Sequence, residues 1–174
     1  MPPSPLDDRQ TPWPTTMAEL APSERFIVWS FRRWVRGLRD NDYSHWSLVS
    51  DEFTRQLGEV DGQEALSGFA RLVMGLQRHA RRPVRVHWPC CPGLGVDEVL
   101  IVCLVASCQH HESRFAKRLA EWVVKCGGAS ELIMACKYLA LIMHRRSLDL
   151  PMRTGTTAMK FKMPPAKLSG ATMH

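Results

Sequence analysis

The chain has 174 residues, of which 45% are hydrophobic and 23% charged, and its formal net charge is +6. This length suits one domain, and the balance is that of a globular chain, which excludes collagen-like, coiled-coil and fully disordered classes. The longest apolar run, residues 99–106, is shorter than the roughly 18 residues of a membrane span, so no transmembrane segment is expected. The start of the chain also lacks a secretory pattern, which predicts a cytoplasmic protein.

Both ends of the chain differ in composition from its centre. Residues 1–22 are rich in proline, which interrupts helices and strands, and we predict that they are disordered. Residues 150–174 carry four basic residues and no acid, without any periodicity, and are predicted to form a basic flexible tail. The sequence therefore predicts one folded domain over residues 23–149.

The first half of this domain contains three helical patterns. Apolar residues recur every three or four positions after Ser23, and the pattern ends at the Asp40-Asn41-Asp42 run. A second helix is expected over residues 44–57. A third begins at Asp61, with an acidic residue three positions later, and Pro83 ends it.

The second half begins with an extended segment and a proline-rich turn over residues 84–95. Residues 96–107 are apolar on all sides, which favours a central buried helix, although the β-branched residues leave a buried strand as the alternative. Two more helices are expected, over residues 112–125 and 130–145. The predicted fold is all-α: a compact single-domain bundle of about six helices with disordered tails.

Two adjacent cysteines between prolines, Cys90 and Cys91, form the first chemical candidate. A helix N-terminus follows them, a position that favours thiolate over thiol. His87 precedes them by three residues, and an antiparallel fifth helix would return Cys126 to the same end of the bundle. These four residues are a candidate thiol or metal site. We expect a structural turn without a cofactor, with a zinc site or a redox-active thiol pair as the alternatives.

Three short motifs resemble one known group of proteins. They are Phe31-Arg32-Arg33, the run from Trp88 to Pro92, and Glu98 at the head of an apolar helix. Together they resemble an uncharacterised bacterial family, a domain of unknown function with a proline-flanked cysteine run. Some members have three consecutive cysteines where this chain has two, which argues against a four-thiolate site. The resemblance implies a small helical bacterial protein and no particular activity.

Arginines at helical spacing form the second candidate, because guanidinium groups beside an indole suit anionic partners. On the first helix the predicted partner-binding basic face consists of Arg25, Trp29, Arg32, Arg36 and Arg39. On the third helix it consists of Arg71, Arg78 and Arg82. A solvated helix face is the alternative interpretation. No zinc-finger, helix-turn-helix or RRM signature supports nucleic acid over a protein partner.

Catalytic motifs are missing from the sequence. It contains no G-x-S-x-G, Walker A or H-E-x-x-H pattern, so we predict no catalytic residues. A binding protein is favoured over an enzyme. The predicted function is a non-catalytic interaction or regulatory protein that presents basic helix faces to a protein or another anionic macromolecule. Nucleic acid is an alternative partner, and a thiol-based redox sensor or metal-binding protein centred on Cys90 and Cys91 is the alternative function. The oligomeric state is left open.

Overall fold

Helices dominate the computed structural model, which describes residues 14–153. A short 3-10 helix, Met17–Glu19, precedes six α-helices. Their bounds are α1 Pro22–Asp40, α2 Tyr43–Leu57, α3 Glu59–His79, α4 Val96–Gln109, α5 Ser113–Val123 and α6 Gly128–Arg145. The all-α prediction is confirmed, and the segment that could have been a buried strand is helix α4. Within the described range no helix is long and apolar enough to cross a membrane.

Helix α4 lies at the centre of the fold. All its residues from 97 to 108 are buried, and it packs against α1, α5 and α6. A helix that is apolar on every side must be covered on every side, which explains this central position. Glu98 completes its N-terminus by accepting a 2.8 Å hydrogen bond from the backbone N–H of Gly95.

Helices α3 and α6 run antiparallel and pack closely against each other. Two glycines make this approach feasible: a Cβ on Gly68 would lie 2.9 Å from the Tyr138 ring, and one on Gly128 would lie 2.5 Å from the His79 Cβ. Gly127, with a φ of 93°, provides the left-handed turn that starts α6. Helix α5 ends at Val123, two residues before the predicted end at residue 125.

An aromatic cluster joins α1, α2 and α3; its members are Phe26, Trp34, Phe53 and Phe69. The Phe69 ring centroid lies 5.3 Å from that of Phe53 and 5.8 Å from that of Trp34. Phe26 contacts Phe53 from α1 at 4.7 Å. Phe53 and Phe69 are fully buried, whereas Trp34 is half-buried. The four rings therefore pack against one another between α1, α2 and α3.

Both predicted domain boundaries lie too far into the folded domain. Pro14 and Leu20 are buried, and α1 begins at Pro22 rather than Ser23. At the other end Leu150 is buried, and its backbone N–H donates a 2.7 Å hydrogen bond to the Gln109 side chain. Pro14–Met152 form one compact unit. The predicted disorder of residues 1–13 and 154–174 concerns parts of the chain outside the described residues.

Candidate functional site

The cysteine loop, residues 88–93, lies between the extended segment after α3 and the N-terminus of α4. The backbone N–H of Cys91 donates to the Trp88 carbonyl at 3.0 Å and closes a turn. The start of the described chain pairs with the loop from outside: Met17 donates to the Pro92 carbonyl and Leu94 donates to the Thr15 carbonyl, each at 2.8 Å. The loop is therefore held on both sides by backbone hydrogen bonds.

Arg32 of α1 holds the same loop in place through hydrogen bonds from its guanidinium group. Its Nη1 donates to the carbonyls of Cys91, at 2.6 Å, and Trp88, at 3.3 Å, and its Nη2 donates to the Gly93 carbonyl at 2.5 Å. The guanidinium also binds the Glu98 carboxylate in a bidentate manner, at 2.8 and 2.9 Å. Arg32 thus connects α1, the loop and α4; we call this group, with Glu98 and the loop backbone, the polar corner.

Glu98 is the acidic partner in the polar corner and is fully buried. Burial alone would raise the pKa of its carboxyl, but the hydrogen bonds from Arg32 outweigh that effect, together with those from the backbone N–H groups of Gly95 and His87. The pKa therefore lies below its usual range. Because every lone-pair direction of this carboxylate is engaged within the fold, the group is suited to structural support rather than to proton transfer.

The four candidate thiol or metal ligands do not form one cluster. His87 turns towards Glu98, with its Nδ1 3.3 Å from the Glu98 Oε2. Cys90 is exposed and Cys91 half-buried, while Cys126 is exposed after the bridge that pairs Val124 with Ala80. Among residues 14–153 no three His, Cys, Asp or Glu side chains are arranged to hold a metal ion. The thiol-based alternative stays a prediction.

Cys108 and His110, near the C-terminal end of α4, have partners within the fold. The Cys108 thiol donates to the Ile133 carbonyl of α6, and burial raises the pKa of the Cys136 thiol. The His110 ring lies 2.7 Å from the Leu150 carbonyl oxygen. Cys108 therefore contacts α6, and His110 contacts the segment that follows α6.

The predicted basic face of α1 needs one correction. Arg32 is only 1% exposed and belongs to the polar corner, so its assignment to a solvent-facing surface is wrong. The physical reason is that the cysteine loop folds over this side of α1, and the Glu98 carboxylate neutralises the buried charge. Arg25 and Arg39 are exposed as predicted, and Trp29 and Arg36 are half-buried.

The basic residues predicted on α3 are exposed, but Arg82 lies beyond the end of this helix at His79, and two of the three have acidic partners. Arg78 donates to Glu131 at 3.1 Å, and Arg82 binds Asp97 through two hydrogen bonds of 2.6 and 2.8 Å. Arg71 lies over the Tyr138 ring, with 5.9 Å between its guanidinium carbon and the ring centroid. This face therefore offers less free positive charge than the sequence pattern indicates.

The structure reveals a surface that helical periodicity alone did not identify. Arg36 stacks on the Trp88 ring, with 3.8 Å between the guanidinium carbon and the ring centroid, and Arg33 lies 5.4 Å above Trp29. Positions 29, 33 and 36 share one side of α1, because they are separated by four and three residues. We call Trp29, Arg33, Arg36 and Trp88 the Trp88 surface. The features of the sequence that indicate this surface are the Arg32-Arg33 pair and the Trp88-Pro89 loop.

Comparisons with protein-family models, with curated proteins and with solved structures found no match to this chain. The polar corner nevertheless brings together the three motifs on which the sequence resemblance rests. Arg32, the loop from Trp88 to Pro92 and Glu98 are joined by direct hydrogen bonds. This convergence gives the motifs a shared structural role, since each of them supports the position of the loop.

Proposed function

We propose that this protein is a non-catalytic binding protein, and that the Trp88 surface recognises an acidic segment of a partner protein. The observation that carries the proposal is the state of Trp88, which is 61% exposed on a loop that is fixed from both sides. Exposed indoles are unfavourable in water, and tryptophan and arginine are the residues enriched at the energetic centres of protein interfaces.

The rigidity of the loop favours binding. Its carbonyl groups are held by a buried guanidinium, and Pro89 and Pro92 restrict its backbone. A surface that is already in its bound conformation loses little entropy when a partner associates. A mobile tryptophan would lose that advantage, so the polar corner supports binding without touching the partner.

The charge of the Trp88 surface supports an acidic partner. Arg33 and Arg36 supply two guanidinium groups, although Arg36 also pairs with Asp40, and the exposed Arg25 and Arg39 extend the positive charge along α1. The whole chain carries a formal charge of +6, which favours association with acidic molecules over long distances. We place this activity in the cytoplasm of a bacterium, in line with the sequence resemblance.

Binding of a fluorescently labelled oligoglutamate peptide at low ionic strength tests the proposal. Trp88→Ala should raise the Kd by about 30-fold, the effect of losing one central interface residue, and Arg36→Ser should raise it by about 3- to 10-fold. Tyr43→Ala and Arg118→Ser are matched controls, because they remove an exposed aromatic ring and an exposed guanidinium elsewhere. Both controls should bind like the unmodified chain.

Two results would contradict the proposal. Equal binding by Trp88→Ala and the unmodified chain would show that the Trp88 surface is not the recognition site. Binding of labelled oligothymidylate, without binding of oligoglutamate, would assign the surface to single-stranded nucleic acid, for which stacking on exposed indoles is also typical.

A further inference from the structure

A second surface, on α6, has no relation to the Trp88 surface. Exposed residues follow one line along this helix at spacings of three, four, three and four, which places them on one face. We call them the α6 stripe: Glu131, Met134, Tyr138, Leu141 and Arg145. Met134 is 67% and Leu141 60% exposed, and Tyr138 between them is half-covered with the Arg71 guanidinium over its ring, so apolar side chains lie between two charged ends.

The order of charges along the stripe is self-complementary. Glu131 lies seven residues before Tyr138 and Arg145 seven residues after it. If a second copy of α6 lies antiparallel, with a two-fold axis at Tyr138, each Glu131 faces the Arg145 of the other copy. Met134 then faces Leu141 across the axis. A two-fold interface needs a surface that matches itself in this manner.

From this pattern we propose that the protein forms a two-fold symmetric dimer in which the α6 stripes of two copies pack antiparallel. Helix α3 packs closely against this part of α6 and supports it, because Gly68 brings α3 close to Tyr138. Met74, also exposed, lies on α3 between Arg71 and Arg78, which contact Tyr138 and Glu131 of the stripe. The polar ends fix the register, since a shift by one turn would move both acidic and basic ends away from their partners.

The charged ends of the stripe already have partners within the chain, but they retain capacity for more. Glu131 accepts from Arg78 at 3.1 Å and lies 3.0 Å from the His79 ring, and Arg145 donates to Asp61 and Glu64. A carboxylate accepts about four hydrogen bonds and a guanidinium donates five. Both side chains are about half exposed, so a second copy can share them.

Sedimentation equilibrium of the full chain provides the first test, and we expect a dimer. The double variant Met134→Glu with Leu141→Glu should raise the dimer Kd by at least about 30-fold, because it places charges in the apolar centre of the interface. Leu48→Glu is the control, since it adds the same charge at an exposed apolar position on α2, and it should remain dimeric. Circular dichroism should show unchanged helix content in all three proteins.

A charge exchange tests the antiparallel register itself. Glu131→Lys alone and Arg145→Glu alone each create two like-charge contacts in a homodimer, whereas a mixture of the two variants restores both contacts in the heterodimer. Native mass spectrometry of the mixture should therefore show heterodimers well above the statistical half. The intrachain consequences of each substitution are the same in homodimer and heterodimer, so only the contact between copies affects this ratio.

Three outcomes would overturn the dimer. The first is an unmodified chain that stays monomeric at high concentration. The α6 stripe would then be covered by residues 154–174 or by another protein instead of a second copy. The second is a dimer that persists in the Met134→Glu, Leu141→Glu variant. The third is a statistical mixture in the charge exchange, which would exclude the antiparallel register.

Discussion

The aromatic cluster and the polar corner both hold α1 in place, but they use different chemistry. In the cluster, Phe53 and Phe69 bury apolar rings between α1, α2 and α3. In the polar corner a buried ion pair and three backbone carbonyls connect α1 to α4 and to the cysteine loop. Apolar contacts tolerate small displacements, whereas hydrogen bonds and ion pairs require particular positions.

This difference matches the roles of the two regions. The aromatic cluster only needs to keep three helices together, and ring packing does so without exact geometry. The polar corner presents an exposed tryptophan, and five donated hydrogen bonds from one arginine define where that loop lies. The aromatic cluster thus stabilises the packing of the helices, and the polar corner sets the position of the loop. Substitutions in each region can test these two roles separately.

The largest effect is expected in the polar corner. Arg32→Met should lower the free energy of unfolding by about 4–5 kcal/mol, because it leaves the Glu98 carboxylate buried without a cation. Urea denaturation followed by circular dichroism measures this change. The double variant Arg32→Met with Glu98→Leu should recover at least about 2 kcal/mol, since it removes the unpaired charge.

Failure of that recovery would show that the carbonyl groups of the loop, rather than the ion pair, account for the loss. The loop position would then depend on the donors of Arg32 alone. In either case the double variant should show a more mobile Trp88. Solvent quenching of indole fluorescence, with the other five tryptophans replaced by phenylalanine in both proteins compared, would detect this change.

Phe69→Ala tests the aromatic cluster and should cost about 3–4 kcal/mol, because it leaves a cavity beside Phe53 and Trp34. No second substitution should recover this loss in the manner of the Arg32 and Glu98 pair, since no charge is left unpaired. Urea denaturation gives the value, and Phe69→Leu, which keeps most of the volume, should cost less than about 1.5 kcal/mol. Equal costs for both substitutions would contradict cavity formation.

Periodicity within single helices was sufficient to predict the helices, and the apolar character of residues 96–107 was sufficient to predict the central position of α4. Each of these features depends on where apolar residues repeat, and this is visible in a window of one helix. Phe69 and Leu104 lie in such apolar segments, and both are buried. Trp122 of α5 is half-buried, and the Arg82 guanidinium lies over its ring.

The polar corner could not be predicted in this way. Arg32 and Glu98 are 66 residues apart, and an arginine opposite an apolar stripe looks like any solvated side chain. Its burial follows from a loop that folds over the helix, which no local pattern reveals. Cys126 follows the bridge that pairs Val124 with Ala80 at the end of α3, and its grouping with Cys90 and Cys91 stays a prediction.

Removal of residues 1–20 tests the outer side of the cysteine loop. This deletion should cost about 2–3 kcal/mol, because it removes the buried Leu20 and two backbone hydrogen bonds to the loop. Removal of residues 1–13 alone is the matched control and should cost less than about 1 kcal/mol. Thermal unfolding of both truncated chains measures the difference, and equal melting temperatures would show that the paired segment contributes nothing.

Acid should weaken the polar corner more than the aromatic cluster. The folded-state pKa of Glu98 is lowered, so its contribution to stability is present above the usual glutamate pKa and is lost as the pH falls through the lower folded value. Between about pH 5 and pH 3 the unmodified chain should therefore lose more stability than the Arg32→Met, Glu98→Leu variant. Parallel losses in urea denaturation at both pH values would contradict a lowered pKa.

The smallest effect is expected at Arg36, one helical turn after Arg32. Arg36 forms a partly exposed ion pair with Asp40 and stacks on Trp88, and each such contact contributes about 1 kcal/mol or less. Arg36→Ser should therefore change the free energy of unfolding by less than about 1 kcal/mol while it weakens binding of an acidic peptide. Urea denaturation and peptide binding on the same protein measure both quantities. A loss of stability as large as that of Arg32→Met would show that the Arg36–Trp88 contact stabilises the fold. The position of Trp88 would then be explained by stability, without a binding partner.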